Sequence, residues 1–548
     1  MRGRYQTPVG SWTHRTTFFW ATTGATVGLS DIWTFPAMAG DNGGGVFILV
    51  YLFCLLGLIV PLMLTESVIG RGARHGVVLS IDALRREAGA PTRWVWSGRL
   101  SVLAGFLVLS FYAVIGGICL AYVFYAAYGQ LTDAAPAALA SNLSSLVQQA
   151  DGYRAFMGWH AAFLVMVLVV SGQGVVNGLE RAMRVVLPLF MVLLLALLYY
   201  SAVFGNLPAA VDFLLRMRPE DVTLDGVRMA LTHAFYTLSL GTGILIVFGA
   251  YSAPTTPIKR SVFAVALVDT LIAMLAGLVI YALVFSGTAS LPGAVQGFSL
   301  VFLSLPESLS MLPGGQFVAT AFFVLIVLVA WSSSLALLEP AVSWLQERLA
   351  APRGWSVLLV GVAAWLVGLL SLFSFNIWSE ASILGGTAYR WIELLTSTVL
   401  IPVVSLLLAF FVGWALPEVV TDRLIGRAPR LFKGLWLWTI RLVLPVIILY
   451  VGIHYAMQSG SSLCSGNHKL FWCAPAAGPD AMPAEGAGEP ASPARSDTPS
   501  LEPTSEPEVL PDASGEGEAG LRPLEQAAPS GAGQEAAPSS DDLLYHSV

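Results

Sequence analysis

The chain has 548 residues, of which 56% are hydrophobic and only 11% are charged, and its formal net charge is −6. This composition lies far outside the range of soluble globular domains and excludes an ordinary soluble fold. It predicts an all-α polytopic membrane protein whose partners are the lipid bilayer and a small molecule rather than nucleic acid.

Eleven apolar segments follow one another along the chain. Most of them exceed the roughly 20 residues that a helix needs to cross the hydrocarbon layer. They lie at about residues 17–39, 45–70, 98–128, 159–174, 183–205, 229–252, 260–287, 316–347, 355–374, 380–414 and 434–457. We therefore predict a short N-terminal region over 1–16 and a transmembrane domain over 17–457.

Basic residues indicate the orientation of this domain. Most of the 28 Lys and Arg residues fall in loops that share one side if the N-terminus is cytoplasmic. Because Lys and Arg are enriched in cytoplasmic loops, we predict a multi-pass protein of the cell (inner) membrane with its N-terminus inside. Eleven crossings would place the C-terminus outside.

The C-terminal region has a different composition from the rest of the chain. Residues 458–548 become rich in Pro, Ala, Gly, Ser and Glu, most clearly from about residue 474. Such a segment buries too little apolar surface to fold, so we predict a disordered acidic tail. Cys464 and Cys473 flank a short polar loop at its start, and a disulfide between them is one possible arrangement.

The first apolar segment contains residues that interrupt a membrane helix. Residues 22–36 read TTGATVGLSDIWTFP, with two glycines, Asp31 and Pro36 at mid-membrane. A carboxylate there costs roughly 2.5–3.5 kcal/mol on insertion scales, so it normally has a partner or a function. Unwound backbone is tolerated at this depth only where it lines a protein cavity. The segment therefore predicts a cation site of a transporter.

The sixth apolar segment has a similar interruption. Residues 233–248 read HAFYTLSLGTGILIVF, and they occupy the matching position if the chain consists of two five-helix halves. Paired interruptions of this kind point to the central site of a transporter. Asp269 in the seventh segment and three consecutive serines in the eighth add oxygen ligands. The sequence lacks a His/Cys metal cluster, a Walker loop and a nucleophile elbow, so we predict neither an enzyme nor an ATP-driven pump.

These motifs resemble those of the neurotransmitter:sodium symporter family. The similar stretches are GATVGLSDIWTFP, DNGGGVFILVYL (41–52), PLMLTESVIGRG (61–72) with Glu66, FYTLSLGTG (235–243) and SSSLALLEP (332–340), together with the spacing of Gly178 and Pro188. The resemblance covers about residues 12–457. It implies a LeuT-type 5+5 inverted repeat with unwound first and sixth helices, the repeats spanning about 17–205 and 229–414.

The resemblance also implies a set of site residues. One sodium site would use the backbone of Gly24, Val27 and Val329 and the hydroxyls of Ser332 and Ser333. A second sodium site would use the Thr26 backbone, Asp31, Thr237 and Asp269. The substrate pocket would be lined by Gly28, Val108, Tyr112, Tyr236, Ser239, Thr242, Ser333 and Leu337. In this scheme Tyr112 binds a substrate carboxylate, and Tyr236 is the aromatic lid.

The chain departs from the family pattern at the outer gate. Thr34 replaces the usual Arg after the first helix break, and the position of its acidic partner falls near Ser382. Closure would then rest on Tyr112 and Tyr236 and on packing. Arg390 and Glu393 form either an i,i+3 pair or a replacement gate, and we favour the structural pair.

The second sodium site and the chloride site also differ from the family pattern. Asp31 and Asp269 stand where the family has Asn, and one of the two carboxyls could carry a proton. The chloride-associated positions read Tyr51, His233, Thr237 and Ala273. Because Ala cannot donate to an anion and Asp269 supplies negative charge, we predict sodium as the coupling ion and no need for chloride.

The favoured interpretation is a sodium-coupled symporter of an amino acid or similar small zwitterion. Ser239 and Thr242 suggest a medium or polar substrate side chain. Three alternatives stay open at this stage. Asp31 or Asp269 could replace the substrate carboxylate and admit amines, the same pair could couple transport to protons, or the chain could be a transport-dead sensor that signals through its tail.

Overall fold

The structure is a computed structural model, and it describes residues 10–131, 143, 145–286, 297–379, 381, 383 and 386–466. Its main helices are α1 (Thr17–Thr26), α2 (Leu29–Asp41), α3 (Gly45–Ala73), α4 (Val77–Glu87), α5 (Thr92–Ala127), α6 (Tyr153–Gly172), α7 (Val175–Phe204), α8 (Leu207–Leu215), α9 (Leu224–Thr237), α10 (Ile244–Tyr251), α11 (Ile258–Val284), α12 (297–310), α13 (Gly315–Leu349), α14 (Arg353–Phe373), α15 (Ala388–Ala415), α16 (Glu418–Ile425) and α17 (Arg430–Gly466). The predicted tail beyond residue 466, the Cys464–Cys473 pairing and Ser382 lie outside what the structure describes.

Nine helices in the described part of the chain are long and apolar enough to cross a membrane. They are α3, α5, α6, α7, α11, α13, α14, α15 and α17. The first and sixth predicted segments supply no continuous helix, because each is split into two shorter ones: α1 with α2, and α9 with α10. Nine continuous helices and two split ones account for the eleven predicted segments.

The break in the first segment lies at Val27 and Gly28. Val27 has φ −60° and ψ 108°, and Gly28 has φ −112° and ψ 179°, so both are extended and the helical hydrogen-bond ladder stops. Pro36, which the sequence suggested as part of the interruption, lies inside α2 and does not end it. A proline removes only its own N–H bond, whereas two consecutive extended residues stop the ladder completely.

The break in the sixth segment is a tight turn of six residues between α9 and α10. Ser239, Gly241 and Gly243 have φ angles of 54°, 74° and 83°. Glycine adopts this left-handed region without a steric penalty, but Ser239 does so at a cost. The turn leaves backbone groups on both sides of the gap without their helical hydrogen-bond partners.

The core is built around two long, deeply buried helices, α5 and α13, which run alongside each other. On another side α10 lies almost backbone to backbone against α3. A methyl group on Gly70 of α3 would stand 1.7 Å from the carbonyl oxygen of Ile246, and one on Gly249 would stand 2.1 Å from that of Ser67. Small residues at such contacts allow membrane helices to approach closely.

Several helix ends differ from the predicted bounds. The last helix, predicted to end at residue 457, continues to Gly466. Its polar final residues include no proline to stop it, so the helix extends past its apolar part. The fifth segment begins earlier than predicted, with a π-helical turn over Val175–Glu180 that contains Gly178.

The contact between α3 and α10 generates a stability prediction. Gly70→Ala should lower the free energy of unfolding by ~1–3 kcal/mol, because the methyl group overlaps the Ile246 carbonyl. Thermal unfolding of detergent-solubilised protein, followed by tryptophan fluorescence, measures the change in Tm. Gly57→Ala is the matched control, since no atom lies within 4 Å of its added methyl. Equal Tm values for the two variants would contradict the packing described here.

Candidate functional site

A cavity of about 710 Å³ lies between the two broken segments. It extends to the surface beside Asp41, Asp225 and Gln458, on the face that the basic residues predict to be outer. All eight residues predicted for the substrate pocket line it, namely Gly28, Val108, Tyr112, Tyr236, Ser239, Thr242, Ser333 and Leu337. The structure brings these residues together; what they bind stays a prediction.

One hydrogen bond joins the two broken segments directly, and others lie within the second break or connect it to α3. The Ser239 hydroxyl donates to the carbonyl oxygen of Ala25 at 2.9 Å, and the Thr242 hydroxyl donates to the carbonyl of Ser239 at 2.6 Å. Glu66, fully buried in α3, accepts the Gly241 N–H at 2.8 Å. Backbone groups freed by the breaks therefore find partners inside the protein, as a lipid environment requires.

The residues of the first predicted sodium site converge between α1 and α13. The Ser333 hydroxyl lies 3.0 Å from the carbonyl oxygen of Val27 and 3.5 Å from that of Gly24. The Ser332 hydroxyl donates to the carbonyl of Val329 at 3.0 Å. The group combines carbonyl and hydroxyl oxygens, with no sulfur or imidazole, which suits a hard cation such as Na⁺.

The residues of the second predicted sodium site surround the hydroxyl of Thr237. This hydroxyl lies 2.7 Å from Asp31 Oδ1 and 3.1 Å from Asp269 Oδ2. Both carboxyls are buried, and Thr26 faces Asp269 from the end of α1. Asp269 Oδ1 has no hydrogen-bond partner among the described residues. Two buried carboxyls with one unsatisfied oxygen need positive charge, so this set also fits a cation.

Asp31 is held in place on both of its oxygens. Oδ2 accepts the N–H of Gly28 at 2.7 Å, while Oδ1 faces Thr237 and also His233 Nε2 at 3.3 Å. Its side chain is 1% exposed. Because both oxygens are engaged and turned away from the cavity, Asp31 is poorly placed to pair with an amine there.

Unlike the Asp31 carboxyl, the buried Tyr112 hydroxyl makes no hydrogen bond within the described residues. It faces Ser333 and the backbone of Leu29, the first residue of α2. The N-terminus of a helix carries free N–H groups and a partial positive charge. An unsatisfied hydroxyl beside such an end is suited to bind a carboxylate.

The outer end of the cavity has no ion pair across it among the residues that the structure describes. Thr34 lines the cavity, and Arg390 pairs with Glu393 in the same helix at 3.0 Å. Both charged side chains are buried, with Glu393 fully so. The interpretation as an i,i+3 structural pair therefore agrees with the observed geometry.

The inner end is closed by a buried charged cluster that the sequence reasoning missed. Glu339 of α13 accepts hydrogen bonds from Tyr251 at 2.8 Å and Ser171 at 3.1 Å, and it pairs with Arg353. These residues connect α13 with α10, α6 and α14. An acid in a membrane segment, within the motif SSSLALLEP, was the available signal.

A second buried acid connects the N-terminal segment to α7. Glu180 accepts hydrogen bonds from the hydroxyls of Thr13 and Thr17, at 3.0 and 2.7 Å, and from the N–H groups of Thr13 and His14, at 2.9 and 3.2 Å. It follows Gly178 by two residues, at the end of the π-helical turn. The start of α1 is thereby attached to the irregular turn of α7.

The sequence of this chain is similar to those of known proteins. The model of a family described as the sodium:neurotransmitter symporter family matches residues 9–136 and 154–469. The chain is 30% identical over 452 residues to the uncharacterized sodium-dependent transporter YhdH of Bacillus subtilis, covering 81% of this chain and 97% of the relative. An uncharacterized sodium-dependent transporter of Haemophilus influenzae is 28% identical over 451 residues, with the same coverage of 81% and 97%.

A solved structure is also similar to this chain. The crystal structure of MhsT in complex with L-phenylalanine has 31% sequence identity and a TM-score of 0.71. The match covers 81% of this chain and 99% of that chain. The similarity confirms the predicted all-α fold of the LeuT type.

The inner cluster generates a prediction about buried charge. Arg353→Met should lower the free energy of unfolding by about 3–5 kcal/mol, because it leaves the Glu339 carboxylate buried without its partner. Adding Glu339→Gln removes that charge and should recover part of the lost Tm in detergent. If the double variant recovers none of the lost Tm, the unpaired charge of Glu339 is not the cause of the destabilisation.

Proposed function

The chain belongs to the sodium:neurotransmitter symporter family and is a sodium-dependent multi-pass membrane transporter, and on this premise we propose that it imports an amino acid or similar small zwitterion. The observation that carries the proposal is the unsatisfied Tyr112 hydroxyl beside the N-terminus of α2, facing the cavity. It offers a carboxylate one hydroxyl and a helix end, next to two sets of cation ligands.

Sodium would bind at both oxygen clusters. The first, between Gly24, Val27, Val329, Ser332 and Ser333, would hold α1 against α13. The second would take Thr26, Asp31, Thr237 and Asp269, where bound Na⁺ satisfies Asp269 Oδ1. Because this second group adjoins the substrate pocket, bound Na⁺ would offset part of the negative charge of Asp31 and Asp269 and so reduce their repulsion of a substrate carboxylate.

The substrate side chain would lie against an apolar surface. Val108, Phe111, Leu337 and Ile401 line the cavity, while the protons of the Ser239 and Thr242 hydroxyls are already donated to backbone carbonyls. These hydroxyls can accept but not donate, which weakens the earlier suggestion of a polar side chain. We therefore propose an amino acid with an apolar side chain, and L-phenylalanine, bound by MhsT, is the natural first probe.

Transport would be independent of chloride. Ala273 offers no hydrogen-bond donor, and Asp31 and Asp269 supply fixed negative charge beside Tyr51 and His233. An added anion would meet two carboxylates at close range, which disfavours its binding.

The proposed cycle follows from the asymmetry of the two ends. The cavity is open beside Asp41 and Asp225, which we place outside, while the cluster around Glu339 closes the cytoplasmic end. Substrate and sodium would enter from outside, and release inward would require the Glu339 cluster and the Glu180 attachment to separate. With the N-terminus inside, the acidic tail would lie outside.

Proton coupling is a second candidate, favoured by one observation. The Thr237 hydroxyl has a single proton but lies within hydrogen-bond distance of both Asp31 and Asp269. For Thr237 to be hydrogen-bonded to both carboxyls, one of the carboxyls would have to carry a proton. Sodium moving inward through the site could displace that proton. In this case uptake would alter the internal pH of a proteoliposome.

The sodium assignment is tested by comparing neighbouring serines. In proteoliposomes, Ser333→Ala should weaken the apparent sodium affinity for L-phenylalanine uptake by about tenfold, equivalent to about 1.4 kcal/mol. Ser334→Ala is the matched control, because this buried hydroxyl contacts no hydrogen-bond partner among the described residues. Equal sodium affinities in the two variants would contradict the first site.

The same assay separates the candidate functions. Uptake that persists without a sodium gradient would contradict sodium coupling, and alkalinisation or acidification of the lumen during uptake would support the proton alternative. A purified protein that is stabilised against heat by amines but not by amino acids would contradict the carboxylate pocket.

Chloride independence has its own test. Replacing chloride with gluconate on both sides of the membrane should leave the initial uptake rate unchanged, because Asp31 and Asp269 supply the negative charge. Replacing sodium with N-methylglucamine should abolish uptake and serves as the positive control. A rate that falls with chloride concentration would contradict the proposal.

A further inference from the structure

Tyr236 stands at a position that affects the opening of the cavity. It is the second-last residue of α9, close to the unwound backbone, and it lines the cavity. Its hydroxyl donates a hydrogen bond of 2.8 Å to the carbonyl oxygen of Ser397 in α15. The tyrosine is therefore held against α15 in a conformation whose cavity is open at the outer face.

The Ser397 carbonyl lies in an irregular part of α15. Residues Leu394–Leu400 form a π-helical turn, in which backbone bonds run from one residue to the fifth before it. Such turns change the pattern of backbone hydrogen bonds, and they occur frequently at functional sites. The π-helical turn thus contains the Ser397 carbonyl, which accepts the hydrogen bond from Tyr236 of α9.

Tyr455 of α17 supports Tyr236 from the other side. The two ring centroids are 5.5 Å apart, with the rings inclined at 49°. The Tyr455 hydroxyl donates to Glu393 Oε1 at 2.7 Å, and Arg390 binds Glu393 Oε2 at 3.0 Å. A hydrogen bond to a charged acceptor is stronger than a neutral one. Tyr455 is therefore fixed in one position against the Tyr236 ring.

This arrangement makes the last helix part of the site. Residues of α17 lie outside both predicted repeats, and no motif pointed to Tyr455. At the same time Thr34 leaves the outer end of the cavity without the charge that could form an ion pair there. A hydrogen-bonded brace between α9, α15 and α17 occupies the region where such a pair would act.

We propose that Tyr455 is a positioning residue that holds Tyr236 in its open position, so that α17 sets how readily the cavity closes. The inference rests on the proposed function, since closure over a substrate matters only to a transporter. Glu393 acts through Tyr455 and not on the substrate. Loss of the Tyr455–Glu393 bond loosens the ring, and Tyr236 leaves Ser397 more easily.

Tyr455→Phe removes only the hydroxyl and tests this role. Closing over L-phenylalanine becomes easier and reopening becomes slower, so KM and kcat for uptake should both fall, by about fivefold. A merely structural role would reduce the amount of folded transporter and leave KM unchanged. Tyr199→Phe is the matched control, because the Tyr199 side chain of α7 is 75% exposed and does not line the cavity.

A second measurement requires no substrate. Thr34→Cys, in a background with Cys464→Ser and Cys473→Ser, is labelled from outside by a membrane-impermeant maleimide in sodium alone. Tyr455→Phe should slow labelling about fivefold, and Glu393→Gln, which weakens the same bond, should slow it too. Equal labelling rates in Tyr455→Phe and Tyr199→Phe would overturn the proposal. If L-phenylalanine is not transported, the substrate proposal fails while the labelling still tests the brace.

Discussion

The architecture depends on the rule that backbone polar groups inside a membrane must find partners within the protein. Two helices break at mid-depth, and each break is satisfied by groups from elsewhere in the fold. The Ser239 hydroxyl reaches the Ala25 carbonyl across the gap, and the buried Glu66 accepts the Gly241 N–H. The breaks are therefore built into the packing of α3, α1 and α10, and the cavity exists because they face each other.

The groups that make the breaks possible also create the chemistry of the site. Carbonyl oxygens released from helical bonding stand beside Ser333, and buried carboxyls stand on either side of Thr237. The carboxyl set is costly without a cation, since desolvated negative charge must be compensated. Under the proposed site assignment, sodium binding and the stability of the open conformation are linked, because the ion would satisfy oxygens that the fold leaves exposed to one another.

Different kinds of interaction lie at the two ends of the cavity. At the inner end, Glu339 and Arg353 form a buried pair with additional hydrogen bonds. At the outer end, aromatic rings and single hydrogen bonds around Tyr236 take the place of an ion pair. Single bonds of this kind contribute less than a buried charged cluster, so the outer end is the one that should open and close at lower cost.

The sequence by itself determined the eleven apolar segments and the two interruptions, because membrane thickness and the cost of Asp31 in lipid are readable from local composition. The residues around the cavity were implied by the resemblance to the symporter family. Spacing also indicated the Arg390–Glu393 pair. Only the tertiary structure decided that both oxygens of Asp31 are engaged, that Tyr112 is unsatisfied, and that Tyr455 from the last helix reaches the site. Such contacts join residues far apart in the chain, and local patterns carry no information on which distant partner satisfies a buried polar group.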